Sequence, residues 1–295
     1  MKNYKWQLMS NNILPKDKKV LTQFIKKSHK FTNGPKVIEF EKKWSKWLGV
    51  KYSTFVNSGA SANLISINIL KNLNSKKKEI ILPAFTWSSD VVSVINAGFK
   101  PIFVDIRFEN LALNEDLVKK RINKNTLAIF ITHAMGFPGL TQTFIKFLKK
   151  KKIYLIEDAC ESHGAKVGNK KVGSLGDISN FSFYYGHHMT TIEGGMISTN
   201  SKEFDRLAKM KRGHGLLRDS QDSSFIKKNM KKSKDLNNDF IFYTEGFNLR
   251  STELSAVIGI EQLKRLNKNI KIRNLNHKFF LNNLRGDIFF KNFNL

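Results

Sequence analysis

The sequence predicts an α/β fold in which helices cover a mostly parallel sheet. From about Tyr52 onward, short apolar runs alternate with amphipathic stretches, the pattern expected of strands connected by helices. Gly98 and Gly136 lie between these runs, where turns are expected. The chain has 295 residues, which is long enough for one large domain or two smaller ones.

The apolar runs predict strands over residues 79–82, 101–106, 127–133, 153–157, 178–183 and 196–199. The amphipathic stretches predict helices over residues 61–73, 88–96, 115–122 and 143–150. A second long helical pattern runs from Thr252 to about Leu284, with Ser251 or Thr252 as its cap. We therefore predict a large domain over residues 1–250. Over residues 251–295 we expect a long helix and the start of a smaller, incomplete C-terminal domain.

The strong positive charge raises the question of a nucleic-acid partner. Lys and Arg number 51 against 24 Asp and Glu, for a net charge of +27. Such a field attracts nucleic acid, anionic lipid or phosphorylated small molecules. The lysines, however, are scattered over predicted loops and helix ends and form no stripe interleaved with aromatic residues. We expect no nucleic-acid partner, and a basic nucleic-acid-binding protein stays a distant alternative.

Cysteine content and hydropathy narrow the class of protein further. Cys160 is the only cysteine, which rules out intramolecular disulfides and a four-cysteine metal or iron–sulfur site built from one chain. The first 19 residues lack the apolar stretch of a signal peptide, and no apolar run of 18 residues occurs. We expect a cytoplasmic protein with no membrane contact and no metal.

The first candidate site element is a run of small residues, 57–63 (NSGASAN), at a strand end and a helix start. Free backbone N–H groups and the helix dipole at such a point can bind a phosphate. Small residues also serve as ordinary caps and turns, so this run taken alone favours a structural turn.

The second candidate element is Asp158, which ends an apolar strand together with Glu157. A carboxylate there can face the crevice in which open α/β sheets bind ligands. An aspartate beside a pyridinium nitrogen keeps that nitrogen protonated and makes the ring an electron sink. Alternatively, Asp158 caps the next helix.

The segment over residues 173–196 (GSLGDISNFSFYYGHHMTTIEGGM) is the most informative part of the chain. It closely resembles the pyridoxal-phosphate-dependent sugar aminotransferases and their sugar 3-dehydratase relatives, which have the aspartate aminotransferase fold (fold type I). The resemblance spans nearly the whole chain and includes residues 83–87 (PAFTW), 97–105 (AGFKPIFVD), 157–165 (EDACESHGA) and 246–253 (GFNLRSTE).

One residue of this segment departs from the aminotransferase pattern. In the aminotransferases, the residue six positions before the glutamate of Glu-Gly-Gly is the lysine that binds the cofactor covalently, and here that residue is His187. An imidazole cannot form that bond but can move protons near neutral pH. With the neighbouring His188 and His214, the substitution looks like that of the GDP-4-keto-6-deoxymannose 3-dehydratases. The place of His187 in the motif favours a catalytic role for it, whereas His188 is better interpreted as a surface or core histidine.

The resemblance also implies roles for individual residues. Asn248 would reach the cofactor phosphate of a neighbouring subunit, which predicts a homodimer. The remaining roles are cofactor phosphate binding at Gly59, Ala60, Ser61 and Ser182, ring stacking at Trp87, a pairing with the pyridine nitrogen at Asp158, proximity to the cofactor hydroxyl at Glu161 and contact with the sugar at His214. Taken alone, Trp87 would more often be a core residue.

The implied activity is 3-dehydration of a nucleotide-linked 4-keto-6-deoxy sugar in deoxysugar biosynthesis of the lipopolysaccharide O-antigen type. The cofactor would act as pyridoxamine 5'-phosphate, with L-glutamate regenerating it from pyridoxal 5'-phosphate, and His187 would serve as the base. The single Cys160 disfavours the iron–sulfur route of the related CDP-sugar enzymes. A truncated or noncatalytic relative of the sugar aminotransferases is the alternative.

Overall fold

The computed structural model describes residues 12–73, 76–232 and 235–284. The strands are β1 (Tyr52–Val56), β2 (Glu79–Pro83), β3 (Lys100–Val104), β4 (Ile106–Arg107), β5 (Ala112–Leu113), β6 (Thr126–Thr132), β7 (Tyr154–Asp158), β8 (Lys166–Val167), β9 (Lys170–Lys171), β10 (Ile178–Ser182) and β11 (Gly195–Thr199). The helices are α1 (Pro15–Lys27), α2 (Pro35–Leu48), α3 (Gly59–Lys71), α4 (Ser88–Asn96), α5 (Glu115–Arg121), α6 (Gln142–Lys151), α7 (Lys202–Arg212), α8 (Ser223–Met230), α9 (Glu253–Leu263) and α10 (Leu266–Asn283).

The main sheet has seven strands in the order β1-β11-β10-β7-β6-β2-β3. β11 is antiparallel to both of its neighbours, and the other paired strands run parallel. The predicted mostly parallel sheet is therefore confirmed. β3 ends at Val104, because Ile106 and Arg107 leave the sheet to form a hairpin with Ala112 and Leu113.

Helices bury both faces of the sheet. Successive residues of β6 and β7 alternate between two hydrophobic clusters: Ile129 and Leu155 belong to one, and Phe130 and Ile156 to the other. This alternation follows from the two-residue period of a strand. A parallel sheet needs both faces covered, and its strands are accordingly buried throughout, as β6 is at all seven positions.

Two N-terminal helices were not predicted from the sequence. α2 begins with Pro35 in its first turn and ends at Gly49, whose φ of 91° suits glycine. Its buried side chains include Phe40 and Trp44, whose rings pack against Phe183, Phe40 at a tilt of 52° and Trp44 edge-on. α2 thus closes one face of the sheet with aromatic contacts.

The predicted single helix after Thr252 is wrong, because the structure contains two helices, α9 and α10. Thr252 is the cap, and its side chain accepts a hydrogen bond from Ser255 N. The break falls at Arg265, whose φ of −108° and ψ of 0° leave the helical region. Its guanidinium donates to Asp17 Oδ1 at 2.8 Å and Oδ2 at 2.6 Å. This bidentate ion pair connects the segment between α9 and α10 to α1.

α9 packs on the large predicted domain. The carboxylate of Glu253 accepts hydrogen bonds from the backbone N–H groups of Lys36 and Val37 at 2.7 and 3.1 Å, at the start of α2. The boundary near residue 250 stays a prediction, and residues 285–295 of the predicted small domain lie outside the described part. Across the described residues, no helix has the length and apolar character needed to cross a bilayer.

Candidate active site

The start of α3 presents free hydrogen-bond donors. Ser58 caps the helix: its Oγ accepts from Ser61 N at 3.0 Å and lies 2.9 Å from Ser61 Oγ. Among the described residues, the backbone N–H groups of Gly59 and Ala60 have no acceptor. Unsatisfied N–H groups at a helix start are donors suited to a phosphate. The amide of Ser61, by contrast, is already used by the cap.

Ser182 lies against this helix start. A Cβ atom at Gly59 would lie 2.6 Å from Ser182 Cβ and 3.1 Å from Cys160 Sγ, so only glycine fits. The close approach brings together the first turn of α3, the end of β10 and the loop after β7. The structure therefore places Ser182 against the helix start that begins at Gly59, and the phosphate site stays a prediction.

Asp158 is the last residue of β7, and its register partners are Thr132 on β6 and Asn180 on β10. One carboxylate oxygen accepts from Cys160 N at 2.8 Å, and the other from Asn63 Nδ2 at 2.9 Å. The side chain is therefore buried and held at the carboxyl end of a central strand. Open α/β sheets bind ligands at this edge.

A second carboxyl group, Asp90, lies beside Asp158 and was missed in the sequence. It is fully buried in the first turn of α4, and Asn63 Nδ2 donates to its Oδ1 at 2.7 Å. Burial, and then the charge of Asp158, raise the pKa of Asp90 well above its usual range. In the sequence, Asp90 looks like an ordinary acid at a helix start, so no local signal marks it.

His187 lies half-buried in the loop between β10 and β11, with its backbone N–H donating to Tyr184 O at 3.0 Å. Burial lowers the pKa of its imidazole; the carboxylates of Glu161 and Asp158 oppose this effect, and Arg273 adds to it. The ring is therefore neutral at neutral pH and able to accept a proton.

His188 packs against the buried ring of His163. Its ring stacks on His163 with centroids 5.0 Å apart, and His163 in turn contacts Trp44 and Phe181. Burial, followed by the nearby charge of Arg273, lowers the pKa of His188 to about 3. This environment agrees with the interpretation of His188 as a packing residue.

Glu161 and Trp87 border the same region. The Glu161 carboxylate accepts from the backbone N–H of Met135 at 2.8 Å and so holds a turn in which Met135 has a φ of 53°. Trp87 precedes α4 and exposes 68% of its surface, so a face of its ring is available for stacking.

His214 lies in a cleft with a volume of about 690 Å³. It has a φ of 64°, and its Nε2 is 3.4 Å from a guanidinium nitrogen of Arg250. Arg212, Arg218, Phe240 and Phe242 line the same cleft. Arginine guanidinium groups beside exposed aromatic rings suit an anionic, ring-bearing ligand.

The segment carrying Asn248 joins this cleft to the phosphate site. Asn57 N donates to Leu249 O at 3.1 Å, and the backbone of Arg250 forms an antiparallel β-bridge with Val56 at the end of β1. Asn248 itself is exposed. Its predicted reach to a neighbouring subunit stays a prediction. Within the described ranges, no group of three or more His, Cys, Asp or Glu could hold a metal ion.

These residues fit a phosphorylated pyridine cofactor. Two unsatisfied N–H groups and nearby hydroxyls suit its phosphate, and the fixed carboxylate of Asp158 suits its ring nitrogen. The same sheet and site define the pyridoxal-phosphate-dependent enzymes of the aspartate aminotransferase fold. One such solved structure, the Escherichia coli GDP-4-keto-6-deoxy-D-mannose 3-dehydratase with bound hydrated pyridoxal phosphate, matches with a TM-score of 0.86 and 32% identity over 94% of this chain and 72% of that one.

The chain belongs to the DegT/DnrJ/EryC1/StrS aminotransferase family, whose sequence profile matches residues 13–288. The GDP-4-keto-6-deoxy-D-mannose 3-dehydratase of Escherichia coli O55:H7 is 34% identical over 89% of this chain and 69% of its own length. The GDP-perosamine synthase of Vibrio cholerae is 31% identical over 87% of this chain and 65% of its own length. The predicted family, fold and cofactor class agree with these relatives.

Proposed function

We propose that this chain forms the active site of a sugar 3-dehydratase that uses pyridoxamine phosphate and acts on a nucleotide-linked 4-keto-6-deoxy sugar. The observation that carries the proposal is His187, a half-buried, neutral imidazole at the position where the family's aminotransferases carry lysine. The chain spans about two thirds of the length of the relatives it matches, so the activity of the whole protein is part of the proposal.

The cofactor would be held by the residues that fit it. The amides of Gly59 and Ala60 and the hydroxyls of Ser61 and Ser182 would bind the phosphate. Asp158 would bind the ring nitrogen, and the exposed ring of Trp87 would stack on the pyridine. When bound, the cofactor supplies an amine for the sugar ketone and a ring that accepts electrons.

His187 would then move the proton on which dehydration depends. Because its pKa is lowered, the imidazole is free to accept a proton from the cofactor's C4′ carbon, and it would pass this proton to the C3 hydroxyl of the sugar, which leaves as water. The later release of the 3-deoxy sugar yields ammonia, and glutamate would restore the amine. A solved GDP-4-keto-6-deoxymannose 3-dehydratase with a trapped pyridoxal phosphate–glutamate adduct supports glutamate as the donor.

The nucleotide part of the substrate would lie in the cleft that holds His214 and Arg250. Another solved structure of the dehydratase contains GDP-perosamine, which supports a nucleotide sugar as ligand. In this chain, guanidinium groups for a diphosphate and exposed Phe240 and Phe242 for a base line the cleft. A dimer, in which Asn248 completes the partner's phosphate site, is part of the same proposal.

The competing activity is ordinary aminotransfer, as in the GDP-perosamine synthases. The two are separated by incubating the protein with cofactor, glutamate and GDP-4-keto-6-deoxymannose, and by measuring ammonia, 3-deoxy sugar and 4-amino sugar. We expect ammonia and the 3-deoxy sugar from the parent. A 4-amino sugar as the main product would contradict the proposal.

The base is tested by His187→Asn, with His188→Phe as the matched control on the neighbouring residue. Loss of a general base typically lowers the rate by about 10²- to 10⁴-fold, so His187→Asn should reduce ammonia release by that factor. His188→Phe changes only a packed ring and should stay within about threefold of the parent. Equal rates for His187→Asn and the parent would rule out His187 as the base.

A further inference from the structure

Three oxygen atoms next to Asp158 form a compact triangle. Thr86 Oγ1 lies 2.6 Å from Asp90 Oδ2, Thr132 Oγ1 lies 2.9 Å from the same oxygen, and the two hydroxyl oxygens are 2.6 Å apart. All three separations are hydrogen-bond distances. Three contacts between oxygens need three protons, and the two threonines supply only two.

The surroundings of Asp90 favour its neutral form. Burial, followed by the charge of the neighbouring Asp158, raises its pKa well above the usual range. Among the described residues, no Lys, Arg or His side chain donates a hydrogen bond or forms an ion pair with Asp90. A proton on Asp90 satisfies the geometry without any such cation.

We propose that Asp90 carries a proton and positions Asp158 for the ring nitrogen of the cofactor. Asn63 connects the two groups, since its Nδ2 donates to Asp90 Oδ1 at 2.7 Å and to Asp158 Oδ2 at 2.9 Å. A neutral Asp90 supports Asp158 without adding a second charge. The part that concerns the cofactor rests on the proposed function, whereas the proton on Asp90 does not.

The remaining titratable groups around the pair agree with this assignment. Burial, followed by the charge of Asp158, raises the pKa of the Cys160 thiol, so it stays protonated. Asp158 lies at the end of β7. Asp90 lies in the first turn of α4 and accepts a hydrogen bond from Thr132 at the end of β6.

The proton is tested on the protein without cofactor by infrared difference spectroscopy between the parent and Asp90→Asn at pH 7. We expect the parent to show the carbonyl band of a protonated carboxylic acid that the variant lacks. A difference spectrum with carboxylate bands alone would overturn the proposal. Should Asp90→Asn fail to fold by circular dichroism, the parent band is titrated against that of Asp158→Asn. Removing the neighbouring charge should move its loss to lower pH, and an unmoved titration would also overturn it.

The positioning role is tested by equilibrium dialysis with pyridoxamine phosphate and with an analogue whose ring nitrogen is replaced by carbon. Asp90→Ala should weaken binding of the natural compound about tenfold, because Asn63, which donates to Asp158, loses its second hydrogen-bond partner at Asp90. The analogue should lose less than about threefold, and Asp90→Asn should restore the natural affinity. Equal losses for both compounds would show a structural role only. If neither compound binds the parent, the proposed function fails, while the infrared result still decides the proton.

Discussion

Glu157 and Asp158 are adjacent in the chain and lie on opposite faces of the sheet, with opposite surroundings. Glu157 is fully buried, and its carboxylate accepts hydrogen bonds from His133 and from three backbone N–H groups of one turn. Its donors are His133 Nε2 at 3.0 Å, Gly173 N at 2.8 Å, Leu175 N at 2.9 Å and Gly176 N at 2.6 Å.

Asp158 has fewer protein donors and faces the helix start where the phosphate would bind. Its partners are Asn63 and Cys160, and Asn63 also donates to the neighbouring Asp90. Consecutive residues of a strand point to opposite faces of the sheet, so Glu157 and Asp158 lie in different environments. The side with complete hydrogen bonding stabilises the fold, and the side with incomplete bonding is available to a ligand.

The largest expected effect is on the fold, from Glu157→Gln. Glutamine supplies a single acceptor oxygen, so buried backbone N–H groups of the 172–176 loop lose their partner. We expect the free energy of unfolding, measured by urea denaturation, to fall by about 3 kcal/mol. Glu79→Gln, at the half-buried start of β2, is the control and should cost less than about 1 kcal/mol. Equal losses would contradict the contrast between the two faces.

The opposite pattern is expected for Asp158→Asn. The substitution leaves an acceptor for Cys160 N and removes the negative charge beside Asp90, so the free energy of unfolding without cofactor should change by about 1 kcal/mol or less. Affinity for pyridoxamine phosphate should fall at least about tenfold, because the charged partner of the ring nitrogen is lost. A variant that loses stability but keeps its affinity for the cofactor would place Asp158 with Glu157 as a structural residue.

A third effect concerns the pH dependence of stability on the Glu157 side, where His188 stacks on His163. The folded-state pKa of His188 is about 3, below its unfolded value of about 6.5. Between these values the unfolded chain binds a proton that the folded chain does not, so stability falls as pH falls. The contribution is at most about 1.4 kcal/mol per pH unit.

His188→Phe keeps an aromatic ring and removes this titration. Urea denaturation between pH 6.5 and 4 should therefore show a shallower loss of stability in the variant than in the parent. The lowered pKa of His163 contributes a slope of the same sign in both proteins, and the raised pKa of Asp90 contributes one of opposite sign. Only the difference between the two proteins reports His188, and identical slopes would show that its ring is solvated.

Most of the parallel sheet could be predicted from the sequence, since buried strands appear as short apolar runs. α1 and α2 were missed because the alternation that predicted the fold begins only after them. The antiparallel direction of β11 was not predicted either. Strand direction depends on how the 183–195 loop folds back to pair Gly195 with both Val56 and Ser182, a pairing between distant residues.

For the candidate site, the sequence by itself determined which residue types stand at the motif positions: small residues at 59–61, Asp158 after β7 and His187 before Glu-Gly-Gly. Only the tertiary structure decided what surrounds them. Asn63 joins Asp90, 27 residues away, to Asp158, 95 residues away, and Asp17 binds Arg265, in the break between α9 and α10, across 248 residues. Local sequence carries propensity and periodicity, whereas a buried charge acquires its partners and its pKa only when distant segments pack around it.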